Sequence, residues 1–481
     1  MMIDGIDIKG ITCDSRKVKK DYVFVAIKGF SEDGNDYINN AIEKGAKIIY
    51  TERDITNKKI PIYKVNNARV KLAELLNEFY DYPSEKVRLI GVTGTNGKTT
   101  TTHLINEIFK KSDYKTGLIG TLGTKIDDDY ISTFLTTPDP ENLFFLLDKM
   151  VKEKVDVVVM EVSSHGLKFY RTYGLQFDVA IHTNIDRDHM DLHGTMEDYI
   201  NSKKRLFNSL RSNKLAVLNI DDDNSKNMID GNDRIFIISY GLNNRATVTA
   251  SSIEIIDKIR FILCLRRGIT TINGVDIEPF EFSVKLNILG KHNIYNALAA
   301  ISVALYFGID SKTIKKALGK FNGIRRRLEK IYDDKFLVID DYSHNPLGYQ
   351  VVFETLQNIE YNDIILINAI RGGRGKEINR KNVEEILVWH KILGIKNIIL
   401  STSDDVVEGK DKVREDEIKG AINVFAKTKT GYELYDSLEK GIGRSLDLVS
   451  RGDVILLLGS QGMDKGKEIF FKLLDGKKVS S

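Results

Sequence analysis

The sequence predicts an α/β protein of three domains. From about residue 87 onwards, apolar runs of strand length alternate with helical stretches, which is typical of a sheet covered by helices on both faces. A glycine-rich stretch at residues 91–100 follows one such strand and precedes a helix. The 481 residues also exceed what one ordinary core holds. We therefore expect a small N-terminal domain, a central P-loop domain with a doubly wound sheet and a small β element, and a Rossmann-like C-terminal domain.

Composition argues against several classes of protein. The 71 basic and 68 acidic residues give a net charge of +3, which leaves no bulk field to attract nucleic acid. The two cysteines, Cys13 and Cys264, give neither a disulfide framework nor a zinc spacing. No apolar run approaches the length of a membrane span, and the N-terminus has no basic region followed by an apolar core. We expect a cytoplasmic monomer that binds neither nucleic acid nor membrane.

The first predicted domain covers residues 1–86. Its predicted strands lie at 22–27, 47–51 and 62–65, and its predicted helices at 41–44 and 70–80. Asp81-Tyr82-Pro83-Ser84 breaks the last helix and marks the boundary. The polar stretch Thr12-Cys13-Asp14-Ser15-Arg16, taken alone, indicates a turn.

The second predicted domain covers residues 87–328 and contains the glycine-rich stretch. Its predicted strands lie at 88–92, 115–119, 155–160, 179–183, 215–220 and 234–238, and residues 248–284 predict a small antiparallel element. Glycines allow backbone N–H groups to turn inward, and the following helix adds partial positive charge, so the stretch predicts a phosphate cradle. Lys98 would reach the outer phosphates of a nucleotide, and the Thr99 hydroxyl would contact Mg²⁺.

Further polar side chains follow other strands of this domain. Glu161 ends the 155–160 strand and becomes a candidate Mg²⁺ ligand if that strand neighbours the cradle. The loop at 183–194 carries two histidines and three acids, which favours a metal site, although a solvated acidic turn stays open. Lys203, taken alone, is typical of a solvated helix face. The polar start of the helix at 290–297 could meet a base or ribose.

The third predicted domain covers residues 329–481. Strands predicted at 336–340, 363–368, 397–401 and 454–458 alternate with helices, a Rossmann-like pattern without a GxGxxG motif. Gly372, Gly373 and Gly375 lie among basic residues after one of these strands. Such a loop could meet an anionic ligand.

Taken together, these segments resemble the Mur ligases, the ATP-dependent peptide ligases of cell-wall precursor synthesis, and most closely their type E members. The matching motifs span nearly the whole chain: Asp14-Ser15-Arg16, Asp33-Gly34, Thr93-Gly94-Thr95-Asn96-Gly97-Lys98-Thr99-Thr100, Thr136-Thr137-Pro138-Asp139, Glu161-Val162-Ser163-Ser164-His165-Gly166-Leu167 with Arg171, Thr183-Asn184, Asp188-His189, His193-Gly194-Thr195-Met196-Glu197-Asp198-Tyr199, Asn293 with Asn296, Arg327, and Asp341-Tyr342-Ser343-His344. The resemblance implies an N-terminal domain for the uridine nucleotide, a central ATPase, and a C-terminal domain that swings in with the incoming amino acid.

The resemblance also implies a set of site residues. ATP would be held by Gly94, Thr95, Asn96, Gly97, Lys98, Thr99, Thr100, Asn293, Asn296, Arg327 and Asp341. The UDP-linked substrate would be held by Ser15 near the uracil and by Thr136, Thr137, Ser163 and Arg171 at the diphosphate and sugar-peptide end. In the family, the lysine after Tyr199 and before Leu206-Phe207 is carbamylated and holds a second Mg²⁺, which assigns that role to Lys203.

The implied reaction transfers the γ-phosphoryl group of ATP to the terminal carboxylate of a UDP-linked peptide precursor. The amine of an amino acid then attacks the resulting acyl phosphate. Two Mg²⁺ ions and Lys98 would offset the charge that the phosphates and the carboxylate bring together. The expected metal ligands are Thr99, Glu161, His189 and carbamylated Lys203, and all but Thr99 are expected, with Lys98, to be catalytic.

The chain departs from the type E pattern at the predicted amino-acid site. Bacterial type E enzymes usually carry Asp-Asn-Pro-Arg for diaminopimelate, whereas this chain has Asp404-Asp405-Val406-Val407. Without that arginine, the second carboxylate of diaminopimelate loses its partner, so we expect a cationic amino acid, with L-lysine first. The expected contacts are His344, Arg374, Asp404 and Asp405. The two acids could instead form an exposed turn.

Several alternatives stay open. A ligase of the archaeal pseudomurein pathway would combine a type E centre with an altered amino-acid site. Ligases like cyanophycin synthetase or folylpolyglutamate synthase share the central fold. A nucleotide-gated binding protein that hydrolyses ATP without ligation is the alternative from another class.

Overall fold

The structure is a computed structural model that describes residues 1–29, 32–56, 59–133, 135–243, 245–255 and 258–479. The chain divides into two compact units. One unit comprises Met1–Ser251, Leu263–Phe282 and Tyr295–Ala317, and the other comprises Ser252–Ile262, Ser283–Ile294 and Leu318–Ser481. The predicted domain boundaries after residues 86 and 328 stay predictions.

The N-terminal part of the chain contains a four-stranded parallel sheet. Its elements are β1 (Met2–Ile3), β2 (Ile6–Asp7), β3 (Gly10–Thr12), β4 (Tyr22–Val25), α1 (Ile38–Glu43), β5 (Ala46–Thr51), β6 (Ile62–Lys64) and α2 (Ala68–Phe79). The sheet order is β3-β4-β5-β6. Phe24 shares a buried core with Ile38 of α1, whereas Val23 and Val25 share another with Leu72 of α2. Because side chains alternate along β4, each helix covers one face of the sheet.

The central part alternates strands and helices as predicted. Its elements are β7 (Arg88–Thr93), α3 (Lys98–Lys111), β8 (Thr116–Gly120), β9 (Gly123–Ile126), β10 (Asp129–Ile131), α4 (Pro140–Lys152), β11 (Val157–Glu161), α5 (Ser164–Lys168), β12 (Val179–His182), α6 (Met190–His193), α7 (Met196–Asn208), β13 (Leu215–Asn219), α8 (Ser225–Ile229), β14 (Phe236–Tyr240), β15 (Val248–Ile255), β16 (Ile259–Leu265), β17 (Ile269–Thr270), β18 (Asp276–Ile277), β19 (Phe280–Leu286), α9 (His292–Tyr306) and α10 (Ser311–Lys320). The strands β8, β11, β7, β12, β13 and β14 lie side by side and parallel. Their carboxyl ends therefore meet at one edge of the sheet.

The position of β7 between β11 and β12 explains where the polar side chains gather. Glu161 pairs with Val92 in the register, and His182 pairs with Thr93. The expected neighbourhood of the Glu161 strand and the glycine-rich cradle is thus confirmed. The small β element differs from the prediction, because the strand order of the central sheet continues through β15 to β16 and β19. Residues 256–257 of that element lie outside the described residues.

The C-terminal part contains a six-stranded Rossmann-like sheet. Its elements are β20 (Glu329–Asp333), β21 (Leu337–Asp341), α11 (Pro346–Leu356), β22 (Ile364–Ala369), α12 (Lys376–Leu393), β23 (Asn397–Ser401), α13 (Glu415–Thr428), β24 (Glu433–Tyr435), α14 (Leu438–Leu448), β25 (Val454–Leu458) and α15 (Gly466–Val479). The order is β20-β21-β25-β22-β23-β24, and every pair except β20 with β21 is parallel. Residues of α11, α12 and α13 share one buried core, and residues of α14 and α15 share another. The loops at the carboxyl ends therefore form one candidate binding edge.

No helix in the described ranges is both long enough and apolar enough to cross a membrane.

Candidate active site

The P-loop (residues 94–99) joins β7 to α3. Gly94 and Gly97 both have positive φ angles, of 149° and 84°. A β-carbon at Gly94 would clash with the hydroxyl of Thr183, and one at Gly97 would lie 2.5 Å from Asn296 Oδ1. Because only glycine avoids these contacts, the loop can bend tightly against its neighbours and turn backbone N–H groups towards a bound anion.

The loop after β12 shapes the P-loop from one side. Asn184 Oδ1 accepts a 3.0 Å hydrogen bond from the backbone N–H of Asn96, and Asn184 Nδ2 donates to the carbonyl of Asn96 at 3.2 Å. Thr183 Oγ1 also donates to that carbonyl, at 2.6 Å. Asn96 is therefore held in place by the neighbouring strand and is oriented before any nucleotide binds.

Lys98 and the threonines that follow it begin helix α3. Lys98 Nζ donates to the carbonyl oxygens of Gly94 and Thr95, each at 2.8 Å. Its ammonium group thus lies over the P-loop, within a short side-chain rotation of a bound phosphate. Thr100 is buried, and Thr101 Oγ1 donates to Asn296 Oδ1 at 3.2 Å. The structure therefore brings Asn296 to the helix that starts at the P-loop.

Glu161 is the buried carboxylate of the site and is 1% exposed. Its Oε2 accepts hydrogen bonds from Thr99 Oγ1 at 2.9 Å and from Thr121 Oγ1 at 3.1 Å. Its Oε1 accepts from the backbone N–H of Thr121 at 2.8 Å. Thr121 Oγ1 also lies 3.0 Å from Thr136 Oγ1. These contacts form one continuous run from Thr136 to the first turn of α3.

The histidine-rich loop lies around α6. The imidazole rings of His165 and His189 meet edge to face, with centroids 4.7 Å apart. His189 Nε2 lies 3.4 Å from Asp188 Oδ2, and His193 Nδ1 lies 3.1 Å from Asp198 Oδ2. Within the part of the chain that the structure describes, no three histidine, cysteine or acidic side chains converge to hold a metal ion. A metal here would need oxygen atoms from substrates as well.

Lys203 lies on α7 and is 1% exposed, so the prediction from the isolated helix of a solvated lysine is wrong. Its Nζ donates a 2.8 Å hydrogen bond to the carbonyl of Gly94 and lies 4.5 Å from the ring centroid of Tyr199. Burial lowers the pKa of Lys203 well below its ordinary value, and the nearby Lys98 ammonium lowers it further. The structure thus brings Lys203 to the P-loop.

The residues expected to hold the UDP-linked substrate fall into two groups. Ser15 lies in the turn after β3, where its carbonyl accepts a 3.0 Å hydrogen bond from Lys44 Nζ. Thr137 Oγ1 lies 3.0 Å from Ser163 Oγ and donates to the carbonyl of Glu161 at 2.9 Å. Arg171 Nη1 donates to the carbonyl of Thr137 at 2.8 Å. The acceptor loop (residues 136–139) is therefore tied directly to the carboxyl end of β11.

The other residues expected to bind ATP lie in the second compact unit. Asn293 Nδ2 donates to the carbonyl of Leu289 at 2.5 Å. The Arg327 guanidinium lies 5.2 Å from the ring centroid of Tyr342. Burial raises the pKa of Asp341, and the charge of Arg327 opposes that rise. Within this unit, Arg327 and Asp341 thus lie close to each other.

The glycine loop (residues 372–375) differs from the prediction. The buried carboxylate of Glu417 accepts hydrogen bonds from the backbone N–H groups of Gly373, Arg374 and Gly375 at 3.1, 2.8 and 2.7 Å. It also accepts one from Arg414 at 2.9 Å. These N–H groups do not await an outside anion, because an internal one occupies them. The prediction for Arg374 then rests on its exposed side chain.

The two acids after β23 have different environments. Asp405 accepts hydrogen bonds from Ser437 Oγ at 2.8 Å and from the backbone N–H groups of Leu438 and Glu439 at 2.8 and 3.1 Å. It thereby stabilises the first turn of α14, which favours the structural alternative for this acid. Asp404 is exposed, and Val407 is 5% exposed.

His344 lies at the same sheet edge, after β21. Its carbonyl accepts a 3.0 Å hydrogen bond from Arg371 Nη1, and its Nδ1 lies 3.1 Å from the carbonyl of Tyr342. Arg371, rather than Arg374, is therefore the arginine that the structure brings to His344. The sequence contained both arginines but gave no means of choosing between them.

Other residues that shape the site were missed at the level of sequence. Thr121 follows β8, whose neighbour is the Glu161 strand, so its place at the carboxyl end was the available signal. Arg326 has a φ of 58° and a buried guanidinium that donates to Asp340 Oδ1 at 3.2 Å and to the carbonyl of Ser460 at 2.9 Å. No local pattern indicates that contact, since its partners lie far along the chain.

Comparison with known proteins gives the family. The model of the Mur ligase family catalytic domain matches residues 7–81, that of the Mur ligase middle domain matches 92–304, and that of the Mur ligase glutamate ligase domain matches 326–461. The UDP-N-acetylmuramoyl-L-alanyl-D-glutamate--2,6-diaminopimelate ligase of Caldanaerobacter subterraneus subsp. tengcongensis is 34% identical over 469 residues, which are 97% of this chain and 91% of that protein.

Solved structures give the same fold. A structure of a ligase with that same name has a TM-score of 0.67 at 24% identity and covers 99% of this chain and 98% of its own. The MurF ligase from Thermotoga maritima in complex with ADP has a TM-score of 0.60 at 19% identity, with coverages of 99% and 100%. Three family domains in order, a three-domain fold and a relative similar over nearly its whole length agree. The chain therefore belongs to the Mur ligase family and is an ATP-dependent, ADP-forming amide ligase.

Proposed function

We propose that this ligase adds an amino acid, L-lysine, to the terminal carboxylate of a UDP-linked cell-wall peptide precursor. The observation that carries the proposal is the run of hydrogen bonds from Thr136 through Thr121 and Glu161 to Thr99. Because this run joins the acceptor loop to the P-loop, an acceptor carboxylate and the γ-phosphate of ATP have neighbouring places to bind. The relative named for UDP-N-acetylmuramoyl-L-alanyl-D-glutamate supports an acceptor of this chemistry.

The reaction proceeds in two displacements. A carboxylate oxygen of the acceptor attacks the γ-phosphorus of ATP, and the bond to the bridging oxygen breaks as ADP leaves. The amine of the amino acid then attacks the acyl carbon, the amide bond forms, and phosphate leaves while the nitrogen loses a proton. Lys98 supplies positive charge at the transferring group, and its two hydrogen bonds to the P-loop hold it there beforehand.

The residues present fit Mg²⁺. Thr99 Oγ1 and Glu161 Oε2 are oxygen donors that already lie 2.9 Å apart, and Mg²⁺ in phosphoryl-transfer sites takes one or two carboxylates together with phosphate oxygens. We propose that Thr99 and Glu161 hold one ion, and that Glu161, His189 and carbamylated Lys203 hold a second. When bound, the ions offset the negative charge of the phosphates and the carboxylate.

Carbamylation of Lys203 is supported by its surroundings. An ammonium buried beside the Lys98 ammonium is unfavourable, and the lowered pKa leaves Lys203 largely as the neutral amine that reacts with carbon dioxide. The amine and carbon dioxide give a carbamate and release a proton. One N–H remains to donate to the Gly94 carbonyl, while two new oxygens carry negative charge towards a metal ion.

The choice of lysine rests on the turn after β23. Diaminopimelate, which the relative's name gives as its substrate, carries a second carboxylate that needs a cationic partner. In this chain the buried Val407 stands where the family motif would supply an arginine, and the exposed Asp404 and Glu408 give the turn negative charge. A distal ammonium group suits that charge better than a carboxylate does.

We further propose that the enzyme acts in the cytoplasm as a monomer, with domains at residues 1–86, 87–328 and 329–481. The three matching family models begin and end near these boundaries, which supports the division. The product would serve murein synthesis, with pseudomurein synthesis as the alternative.

Phosphate release with substrates omitted one at a time tests the proposed function. We expect ADP and phosphate to form at a high rate only when ATP, UDP-N-acetylmuramoyl-L-alanyl-D-glutamate and lysine are all present, and mass spectrometry should find the amide product. Release without an amino acid, and with no amide product, would instead indicate a non-ligating ATPase. Product formation only with folate or aspartate-polymer acceptors would indicate the other two ligase types.

A further inference from the structure

The carboxylate of Glu141 joins two parts of the chain that are far apart in sequence. Its Oε1 accepts a 2.9 Å hydrogen bond from Thr12 Oγ1 and a 2.7 Å hydrogen bond from the backbone N–H of Cys13. Its other oxygen, Oε2, lies 3.5 Å from Lys17 Nζ. Glu141 lies in the first turn of α4, and its side chain is only 16% exposed. A carboxylate with three partners from one short loop fixes that loop firmly against the helix.

The loop that Glu141 holds is the uridine loop (residues 12–17), which contains Ser15. Thr12 Oγ1 donates to Glu141 and at the same time accepts a 3.0 Å hydrogen bond from the backbone N–H of Asp14. Asp14 in turn accepts hydrogen bonds from the backbone and side chain of Arg16, both at 2.9 Å. The conformation of the whole loop therefore depends on the position of Glu141.

The helix that carries Glu141 continues directly from the acceptor loop. Asp139 caps α4 by accepting a 3.1 Å hydrogen bond from the backbone N–H of Asn142. Two residues earlier, Thr137 contacts the carbonyl of Glu161 through its hydroxyl and Arg171 through its own carbonyl. Glu141 is thus four residues from one substrate loop and in direct contact with the other.

We propose that Glu141 is a positioning residue that sets the distance between the uridine loop and the acceptor loop, and so matches the enzyme to the length of its UDP-linked substrate. This inference rests on the proposed function, in which the two loops hold the two ends of one substrate. A rigid spacing lets the second end bind as an intramolecular event once the first has bound. A loose spacing loses that advantage while each loop keeps its own contacts.

The inference distinguishes a whole substrate from its parts. In Glu141→Ala, the dissociation constant for UDP-N-acetylmuramoyl-L-alanyl-D-glutamate should rise by about tenfold or more, the cost of losing charge-assisted hydrogen bonds. The dissociation constant for UDP alone, which occupies one loop, should change by less than about twofold. KM for the acceptor should rise in parallel, with kcat at a saturating acceptor concentration nearly unchanged.

Two further variants separate positioning from simple loss of stability. Glu141→Gln keeps an oxygen that accepts from Thr12 and Cys13, so it should retain most of the affinity. Thr12→Val removes the partner hydroxyl, and its effect should not add to that of Glu141→Ala in the double variant. Lys152→Ala changes an exposed residue of the same helix and serves as the matched control. Thermal unfolding of each variant checks that the chain is folded at the assay temperature.

Isothermal titration calorimetry of the full-length chain with the two probes decides the matter. Selective weakening of the whole acceptor, rescued by Glu141→Gln, supports the inference. Equal weakening of UDP and the whole acceptor, or no weakening of either, would overturn it while leaving the proposed function in place. Wild-type protein that binds no UDP-linked acceptor would overturn the proposed function, and this inference with it.

Discussion

Lys203 Nζ donates a 2.8 Å hydrogen bond to the carbonyl oxygen of Gly94, so that helix α7 contacts the P-loop through a single buried amine. The contact places a nitrogen of lowered pKa beside the lysine that faces the phosphates. An unmodified, charged Lys203 would compete with Mg²⁺ for this region, whereas a carbamate would attract it. The chemistry of the site therefore depends on the state of this one side chain.

Replacement of Lys203 tests that dependence. Lys203→Ala should lower kcat by about 100-fold or more, because the site loses the negative charge that would hold the second Mg²⁺. Short carboxylic acids such as acetate should restore part of the activity by supplying the missing oxygens. A readout that does not depend on activity is the carbon-13 signal of a carbamate in wild-type protein equilibrated with labelled bicarbonate, which should be absent from the variant.

Lys203→Arg is the control for that experiment, because it keeps a cation but cannot form the carbamate. It should be as inactive as Lys203→Ala and should not be rescued by acetate, since the guanidinium fills the space. Full activity of either variant without added acid would contradict the assigned role.

The P-loop and the uridine loop should be separable by mutation. Lys98→Ala and Glu161→Gln should each lower the rate of phosphoryl transfer by about 100-fold or more, because each removes charge from the transferring group. Neither side chain contacts the uridine loop among the contacts described above, so the dissociation constant for UDP should stay within about twofold of wild type. Calorimetry measures that constant. A collapse of UDP affinity in Lys98→Ala would show that the sites are not separate.

The sequence was sufficient to locate the P-loop and the Glu161 strand, because strand-helix alternation and a glycine-rich turn are local patterns. The same reasoning could not anticipate Glu417, whose carboxylate meets the glycine loop across more than 40 residues of chain. It also could not show that Lys203 is buried, since a lysine on an isolated helix face is typical of a solvated surface. Both depend on tertiary packing, which leaves no periodic signal.

The contact between Glu417 and the glycine loop gives a prediction about stability. Glu417→Gln should lower the free energy of unfolding by about 2 kcal/mol, because the amide NH₂ would face backbone N–H donors that now have a carboxylate. Glu415→Gln, on the same first turn but 82% exposed, is the matched control and should change stability far less. Urea denaturation measures both. An equal loss in the two variants would contradict the importance of the buried contact.

The pH dependence of that loss follows from the pKa of Glu417. Burial raises this pKa, but the four backbone N–H groups outweigh burial and hold it below its ordinary value. A carboxyl whose pKa is lowered on folding contributes stability above its unfolded pKa of about 4.3, and that contribution disappears as the pH falls through the folded value. The difference between wild type and Glu417→Gln should therefore be constant near neutral pH and shrink below about pH 4.

The two neighbouring acids after β23 should have opposite effects on catalysis and stability. Asp405 accepts three hydrogen bonds at the start of α14, so Asp405→Ala should destabilise the protein by about 1 kcal/mol and leave the choice of amino acid unchanged. Asp404 is exposed and has the negative charge that a distal ammonium would meet. Asp404→Asn should therefore raise KM for lysine with little change in the melting temperature.

Competition among amino acids decides whether lysine is the substrate. With lysine, diaminopimelate, alanine and glutamate offered together with UDP-N-acetylmuramoyl-L-alanyl-D-glutamate, the lysine product should dominate the mass spectrum. Diaminopimelate should lose because its second carboxylate would enter an acidic turn without an arginine, a loss of about 2–4 kcal/mol that corresponds to at least a tenfold preference. Introducing the missing cation by Val407→Arg should weaken that preference. Dominance of the diaminopimelate product in wild-type enzyme would overturn the assignment, and an unchanged preference in Val407→Arg would locate the selecting contacts elsewhere.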